Sequence, residues 1–371
     1  MARPLRKLLI AFAGLAVLAA LLYKFRNSIA LEGIHWDALL SSIRHTRVSL
    51  LVLSLATIYV CLAIRALRWG RFSRRLGTPS FSGIYKGTLM GFASLFLLGR
   101  VGEPIRPILI ARKEKLPITG MFGVYVLERV FDSAAAAVLA GVALLTFSRH
   151  TMQGDEHNRL IAVARTAGAL LLAGLVAVTA FLIYFRLHGA AALERKLDRL
   201  KERGGWRAKL SVLMSGFSDG LRGIHSLEEL GLGIFYTALH WTLVAAVYLW
   251  VAWSFGGKLG TLQFSGAMLV LAFTLVGSAL QLPGIGGGAQ VATFLVLTVI
   301  FGVEKEPAAA DAILTWLVTF AGACIVGLPL LFHEGWSMGE LRQLAQAEER
   351  AEESGRHIVN GDTRDPGAVR Q

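Results

Sequence analysis

Long apolar runs, separated by short polar segments rich in arginine and lysine, make up most of the chain. Most of these runs approach or exceed the roughly 20 residues that a helix needs to cross a bilayer, and they show little of the alternation that marks a membrane β-barrel. The pattern predicts an all-α polytopic membrane protein. We expect about six transmembrane helices, near residues 8–23, 48–64, 118–147, 163–185, 230–254 and 311–332, with Asp311 capping the last one.

Two further apolar regions are interrupted by glycine and proline. The run at residues 83–99 breaks at Gly99–Arg106, and the region 264–301 breaks at Gln281–Gln290. Glycine and proline unwind helices by different means, and non-helical backbone at membrane depth is tolerated only where protein or a water-filled cavity surrounds it. The short arms predict two re-entrant broken-helix hairpins that open to opposite faces, an arrangement typical of the central site of a transporter.

Composition and charge agree with this class and indicate an orientation. The chain is 54% hydrophobic and 17% charged, whereas a soluble domain carries about 25% charged residues. The excess positive charge, +13 overall, lies beside the apolar runs, which favours cytoplasmic loops that meet anionic lipid over nucleic-acid binding. The arginines between residues 65 and 75 predict cytoplasmic termini, and we interpret Arg65, Arg68 and Trp69 as headgroup and topology anchors. We therefore expect a multi-pass protein of the bacterial cytoplasmic (inner) membrane.

The chain divides into a transmembrane domain, residues 1–332, and a polar cytoplasmic tail, residues 333–371, which we expect to be largely disordered. The first apolar run has a basic start but no clear cleavage site, which predicts an uncleaved span. Residues 186–228 form a basic cytoplasmic insertion, in which leucines at helical spacing predict an amphipathic helix at the headgroups. The cysteines lie inside apolar runs, so we expect no disulfide, metal site or cofactor.

Six charged residues around the first break form the first candidate site for substrate binding. They are Arg100, Glu103, Arg106, Glu128, Arg129 and Asp132. Ionisable groups inside a membrane are costly, so they pair with one another or line a wet pathway. Glu128 and Asp132 share a helix face, where an arginine from the broken helix can serve as counter-ion. The group is either a structural salt-bridge network or a cradle for a lipid phosphate, whose geometry guanidinium matches, and the two are compatible.

The second break is the second candidate site. Its residues are Pro283, Gly284, Gly286, Gly287 and Gln290. Backbone N–H groups of such a turn, together with the start of the next helix, can face an anion. A tight turn that lets two helices pack closely explains the same glycines. No Lys-Ser/Thr pair follows them, so this is not a nucleotide-binding loop.

The remaining motifs do not favour catalysis. His240, within a predicted span, can relay protons or, more simply, hydrogen-bond to a neighbouring helix. The chain has no spacing typical of a catalytic triad, no HExxH, no CxxC and no Walker motif. We therefore predict that the protein is not an enzyme.

Taken together, three short patches resemble the flippase-like integral membrane family. This family includes the transmembrane region of lysylphosphatidylglycerol synthases and proteins associated with hopanoid biosynthesis. The resemblance covers roughly residues 8–332 and rests on Arg65-Ala66-Leu67-Arg68-Trp69, on Gly102-Glu103-x-x-Arg106 with Glu128-Arg129-x-x-Asp132, and on Leu282-Pro283-Gly284-Ile285-Gly286-Gly287. Where the family commonly has an acid after the glycines, this chain has Gln290.

The resemblance implies lipid translocation without the soluble aminoacyl-transfer domain. We expect a transporter that moves a phosphate-bearing or polyprenyl- or hopanoid-type lipid between the leaflets of the inner membrane. Its expected partners are membrane lipids with anionic headgroups and lipid-synthesis enzymes. The alternatives are a non-catalytic membrane partner of a lipid-synthesis system and, less favoured, a membrane enzyme that acts on lipid phosphates.

Overall fold

The computed structural model describes residues 35–147, 226–278, 281–282, 286–336 and 339–340. The predicted spans at 8–23 and 163–185, most of the basic insertion and the tail beyond residue 340 lie outside these ranges. The α-helices are α1 (Trp36–Arg44), α2 (Val48–Phe72), α3 (Phe81–Leu98), α4 (Ile105–Glu114), α5 (Ile118–Phe147), α6 (Leu227–Phe255), α7 (Phe264–Gly277), α8 (Gly288–Leu295), α9 (Lys305–Trp316) and α10 (Gly322–His333).

Four helical segments of the described residues are long and apolar enough to cross a membrane. They are Val48–Phe72, Phe81–Leu98, Glu228–Phe255 and Lys305–His333, the last of which joins α9, a π-helical turn and α10. The prediction of a polytopic helical membrane protein is confirmed, whereas the number of six spans stays a prediction. One detail is wrong: Asp311 lies within α9, two turns after its start, and does not cap a helix.

Helices α3 and α4 fold back on each other across the first break. Three glycines of α3, each four residues from the next, face α4: Gly83 lies against Glu114, Gly87 against Ile110 and Gly91 against Arg106. A side chain at any of the three would overlap its neighbour, so the glycines allow the close approach that is common between membrane helices. A 3₁₀ turn, Gly99–Gly102, joins the two helices.

Helices α7 and α8 form a second folded-back pair. At the end of α7, Gly277 lies so close to the carbonyl group of Gly288 that no side chain could be accommodated. The turn between the helices contains two short antiparallel strands, β1 (Gln281–Leu282) and β2 (Gly286–Gly287). Helix α8 continues into a π-helical turn, Val296–Ile300.

The tips of the two helix pairs meet inside the bundle. The 3₁₀ turn of the first pair contacts β1 of the second, and α5 packs against both α4 and α7. Helix α2 lies along α6, and α3 lies along α10. The two breaks and the charged segment of α5 are thereby brought to one place.

Large apolar side chains are exposed on the outside of the bundle. Examples are Val52, Val138, Val276, Val299 and Ile325. Apolar surface of this extent is unusual on a soluble monomer and marks contact with another apolar phase. It fits a bundle whose outer face lies in hydrocarbon.

Candidate functional site: a buried arginine–carboxylate cluster beside a cavity

Three helices direct charged side chains to the centre of the bundle. Helix α2 contributes Arg65 and Arg68, which lie on one face because residues three apart are neighbours on a helix. Helix α4 contributes Arg106, and α5 contributes Glu128 and Asp132, which are one helical turn apart. All five side chains are buried. We call these five residues the inner cluster.

Glu128 is the centre of the inner cluster, and its side chain is 0% exposed. Its Oε1 atom lies 3.4 Å from Arg65 Nη1 and 3.0 Å from Arg68 Nη2. Its Oε2 atom accepts a hydrogen bond from Arg106. Charges can be buried at this depth only where such partners replace the lost water.

Asp132 shares two of these arginines with Glu128. Its Oδ1 atom lies 2.8 Å from Arg68 Nη2, and its Oδ2 atom lies 3.2 Å from Arg65 Nη2. Two carboxylates one turn apart on a helix would otherwise repel each other. The arginines of α2 therefore hold both acids of α5 in place.

Helix α6 supplies a further hydrogen-bond partner to each of the two α2 arginines. Arg68 Nη1 donates to Thr237 Oγ1 at 2.6 Å, and that hydroxyl in turn donates to the carbonyl group of Gly233. Arg65 Nη2 lies 3.1 Å from His240 Nε2, while His240 Nδ1 lies 3.2 Å from the carbonyl oxygen of Cys61. Since a carbonyl oxygen can only accept, we assign the proton to Nδ1, which leaves Nε2 to accept from Arg65.

The Thr237 contact predicts a measurable stability difference. Thr237→Val keeps the side-chain shape but leaves Arg68 Nη1 without its acceptor, and a buried donor without a partner costs about 1–3 kcal/mol. We expect this loss in the free energy of unfolding measured by SDS titration in mixed micelles. Thr57→Val is the matched control, because the buried Thr57 hydroxyl donates to the Leu53 carbonyl of its own helix. Equal losses in both variants would contradict a specific role for Thr237.

Arg106 is fixed by packing as well as by charge. Its guanidinium group lies over the ring of Trp69, 4.5 Å from the ring centroid, a distance typical of a cation–π contact. Its stem lies against Gly91 of α3, where a Cβ atom would come within 2.5 Å of Arg106 Cβ. The orientation of Arg106 therefore depends on both Trp69 of α2 and Gly91 of α3.

A second ion pair, between Arg129 and Glu103, lies at the edge of the inner cluster. Arg129 Nη1 is 2.5 Å from Glu103 Oε1, and the pair joins α5 to the first break. The Arg129 side chain is 37% exposed, and that of Glu103 is 19% exposed. Arg129 also lies 3.4 Å from Asp132 Oδ2. This rim pair is the most accessible part of the charged region among the described residues.

A cavity of about 530 Å³ opens beside the rim pair. At its polar end lie the guanidinium groups of Arg65, Arg106 and Arg129 together with Glu103 and Asp132. The rest of its wall is mainly apolar. The apolar part includes Ile58, Leu62, Phe92, Leu95, Ala136, Trp241, Val244, Leu271, Leu275, Val276 and Phe320. The cavity thus joins an arginine-rich, charged end to a mainly apolar chamber.

The interpretation of Arg65 and Arg68 as headgroup anchors is wrong. Helix α2 continues beyond residue 64 to Phe72, and both arginines face α5 and α6, while Trp69 is fully buried under Arg106. The exposed arginines of this segment are Arg74 and Arg75. The spacing of polar residues in the sequence could have indicated this pairing. Arg65 and Arg68 are three positions apart, and Thr237 and His240 are also three positions apart on another predicted span.

The described residues of the second candidate site do not line the cavity. Pro283 and Gly284 lie outside the described residues, and neither Gly286, Gly287 nor Gln290 is among the residues that line the cavity. The N–H of Gly287 donates to Gln290 Oε1 at 2.6 Å, so Gln290 caps α8 and this N–H is not free to face an anion. Arg100 lies in the 3₁₀ turn, but its side chain is outside the described part.

The described residues bring together no three histidine, cysteine, aspartate or glutamate side chains that could hold a metal ion.

Among comparisons with known proteins, the family model described as the lysylphosphatidylglycerol synthase TM region matches residues 10–327. This match confirms the resemblance drawn from the three sequence patches. No curated protein matches the chain.

Proposed function

The chain belongs to the lysylphosphatidylglycerol synthase TM region family, and we propose that it is a transporter that moves an anionic lipid between the leaflets of the inner membrane. A membrane protein linked to lipid metabolism follows from the family. The transport role, the inner membrane and the cytoplasmic termini are our proposal. We favour a transporter over an enzyme because arginines and mainly apolar groups line the cavity.

The observation that carries the proposal is the amphiphilic character of the cavity. Guanidinium groups at one end suit a phosphate, and apolar walls suit hydrocarbon. A volume near 530 Å³ lies within the roughly 300–1,000 Å³ of small-molecule sites. It offers room for a headgroup, while the chains of a phosphate-bearing or polyprenyl- or hopanoid-type lipid extend along the walls into the bilayer.

The charge balance supports an anionic ligand. The inner cluster and the rim pair together hold four arginines against three carboxylates, which leaves one positive charge uncompensated within this set. A buried excess charge is costly, and a headgroup with a single negative charge would neutralise it. Arg129 is best placed to meet such a group, because it is the most exposed arginine of the set and its carboxylate partner Glu103 belongs to the break.

The two folded-back helix pairs support a route through the membrane. We propose that they re-enter from opposite faces, with their tips meeting beside the cavity, so that movement of one pair at a time exposes the site to either side. The contact between the first turn and β1 supports this arrangement. The ion pair between Arg129 and Glu103 joins the tip of the first helix pair to α5. Separation of Arg129 from Glu103 would therefore accompany that movement.

The test is to purify the protein from vesicles that contain both phosphatidylglycerol and phosphatidylcholine, and to identify the lipids that it retains by native mass spectrometry. We expect the wild type to retain phosphatidylglycerol preferentially. In Arg129→Gln this preference should fall at least about tenfold, since a hydrogen bond to a charged group contributes roughly 1.5–3 kcal/mol. Arg74→Gln removes the same charge at an exposed position outside the cavity and should behave as wild type. Movement of a fluorescent phosphatidylglycerol across proteoliposomes should decline in parallel.

A non-catalytic partner of lipid-synthesis enzymes is the alternative that a specific observation favours. Glu128 and Asp132 are saturated with arginine contacts, and such a network has a structural role even without a ligand. Equal lipid retention by the wild type, Arg129→Gln and Arg74→Gln would contradict the transporter proposal and favour this alternative.

A further inference from the structure

Asp311 is a buried carboxyl group outside the inner cluster. It lies six residues after the first residue of α9, about 9 Å along the helix axis, and it is 2% exposed. Its Oδ1 atom has no hydrogen-bond partner among the described residues. No charged side chain of the described part lies close enough to offset its burial.

This environment contrasts with that of the other buried acids. Glu128 and Asp132 are each contacted by at least three arginines, which hold them as carboxylates. An isolated carboxylate in apolar surroundings is far more costly than the neutral acid, so such a group takes up a proton. Acidic residues inside a membrane are rare, and in pumps and transporters they form proton relays.

The elements around α9 present one ionisable group to Asp311 among the described residues. Helix α9 packs against α1, α6, α8 and the adjacent π-helical turns. Helix α8 and the turns contain no ionisable residue, and the charged residues of α1, Asp37 and Arg44, are exposed. Helix α6 contributes the buried phenol of Tyr248, which lies within electrostatic reach of Asp311.

Tyr248 connects Asp311 to the cavity. It lines the cavity wall, and it belongs to the same buried cluster as Ala308 of α9. Thr274 of α7 lies near its phenol, and the Thr274 hydroxyl lies 2.7 Å from the hydroxyl of Thr293 on α8. One turn beyond Asp311, the buried Thr315 hydroxyl lacks a hydrogen-bond partner among the described residues. Tyr248 is therefore shared by the cavity wall and the buried surface beside α9.

The same helix also reaches the cavity directly. A π-helical turn, Leu317–Ala321, follows α9, and its residues Thr319 and Phe320 line the cavity. Such π turns interrupt helices at functional sites more often than elsewhere. A change in the charge of Asp311 can therefore act on the cavity through α9 as well as through Tyr248.

We infer that Asp311 is a proton-binding site, and that Tyr248 links its protonation to the occupant of the cavity. A proton is favoured over a metal cation, because a cation needs several oxygen ligands and the described residues bring together no three histidine, cysteine, aspartate or glutamate side chains that could hold one. The inference rests on the proposed transport function and deepens it. Proton binding at Asp311 gives the transporter a means to draw on a proton gradient.

The test is infrared difference spectroscopy of the full-length protein in vesicles during pH titration. A protonated carboxyl group gives a carbonyl stretching band that shifts in D₂O. We expect such a band in the wild type and its loss in Asp311→Asn, which keeps the side-chain shape and mimics the neutral acid. We expect the titration of the band to move along the pH axis when phosphatidylglycerol replaces phosphatidylcholine, and Tyr248→Phe to keep the band but abolish this movement.

Lipid retention by the same samples separates the two proposals. If the wild type retains phosphatidylglycerol but the band is missing, or is unmoved by lipid, the inference about Asp311 is overturned and the transporter proposal stands. If the band responds to sodium at constant pH and not to pH, the site binds a cation and the inference is again overturned. If no lipid is retained and the band does not respond to lipid, both proposals fail.

Discussion

Replacing Glu128 by alanine or glutamine is expected to prevent recovery of folded, monodisperse protein or to lower its stability severely. Either change removes the one carboxylate that contacts Arg65, Arg68 and Arg106 together. Removing one partner of a buried ion pair costs about 3–5 kcal/mol, because the remaining charge stays buried without compensation. Here three arginines are affected at once. The measurements are the yield of monodisperse protein in detergent and its thermal unfolding midpoint.

Two comparisons make this result specific to buried charge. Asp37→Asn neutralises an exposed acid of α1 and should leave both measurements unchanged. The double variant Glu128→Gln with Arg106→Gln removes one charge of each sign and should recover part of the stability that Glu128→Gln loses. If Glu128→Gln alone is as stable as the wild type, the inner cluster does not hold the bundle together.

Replacing Gly327 by alanine is expected to cause the second large effect. Gly327 of α10 lies against α3, where an added Cβ atom would overlap the backbone carbonyl of Leu89 and come within 3.0 Å of Ala93 Cβ. Because backbone atoms cannot rotate away, the two helices must separate, and overpacking of this kind costs about 1–3 kcal/mol or more. The measurement is the SDS concentration at which half of the protein unfolds.

Gly231→Ala provides the matched control for Gly327→Ala. Gly231 also lies within a helix, α6, but an added Cβ atom would meet nothing within 4 Å. Since alanine favours a helix interior over glycine by up to about 1 kcal/mol, this change should be neutral or stabilising. Parallel losses in the two variants would argue against close packing of α3 and α10.

The charged region divides into a part suited to holding the bundle and a part suited to a ligand. The inner cluster is buried and joins α2, α4 and α5, so its substitution acts first on stability. The rim pair of Arg129 and Glu103 is partly exposed and borders the cavity, so its substitution is expected to act first on binding. This division explains why Arg129 is the better probe of lipid retention and Arg106 the poorer one.

Hydropathy and glycine placement along the chain were sufficient to predict the class of the protein and the positions of both breaks. Apolar runs long enough to span, and glycine or proline within them, are properties of a few neighbouring residues and require no knowledge of packing. The charged residues of the first candidate site were also found in this way, because a charge within an apolar run stands out from its neighbours. The family match over residues 10–327 agrees with that level of description.

The pairing of those charges was decided by tertiary structure alone. Arg65 and Arg68 look like the basic end of a span in the sequence, but the rotation of α2 turns them inward towards Glu128 and Asp132. Arg68 and Glu128 are 60 positions apart in the chain, and hydropathy averages over the direction in which a helical side chain points. The isolation of Asp311 among the described residues has the same origin, since the absence of a counter-ion near a buried acid depends on every helix packed around it.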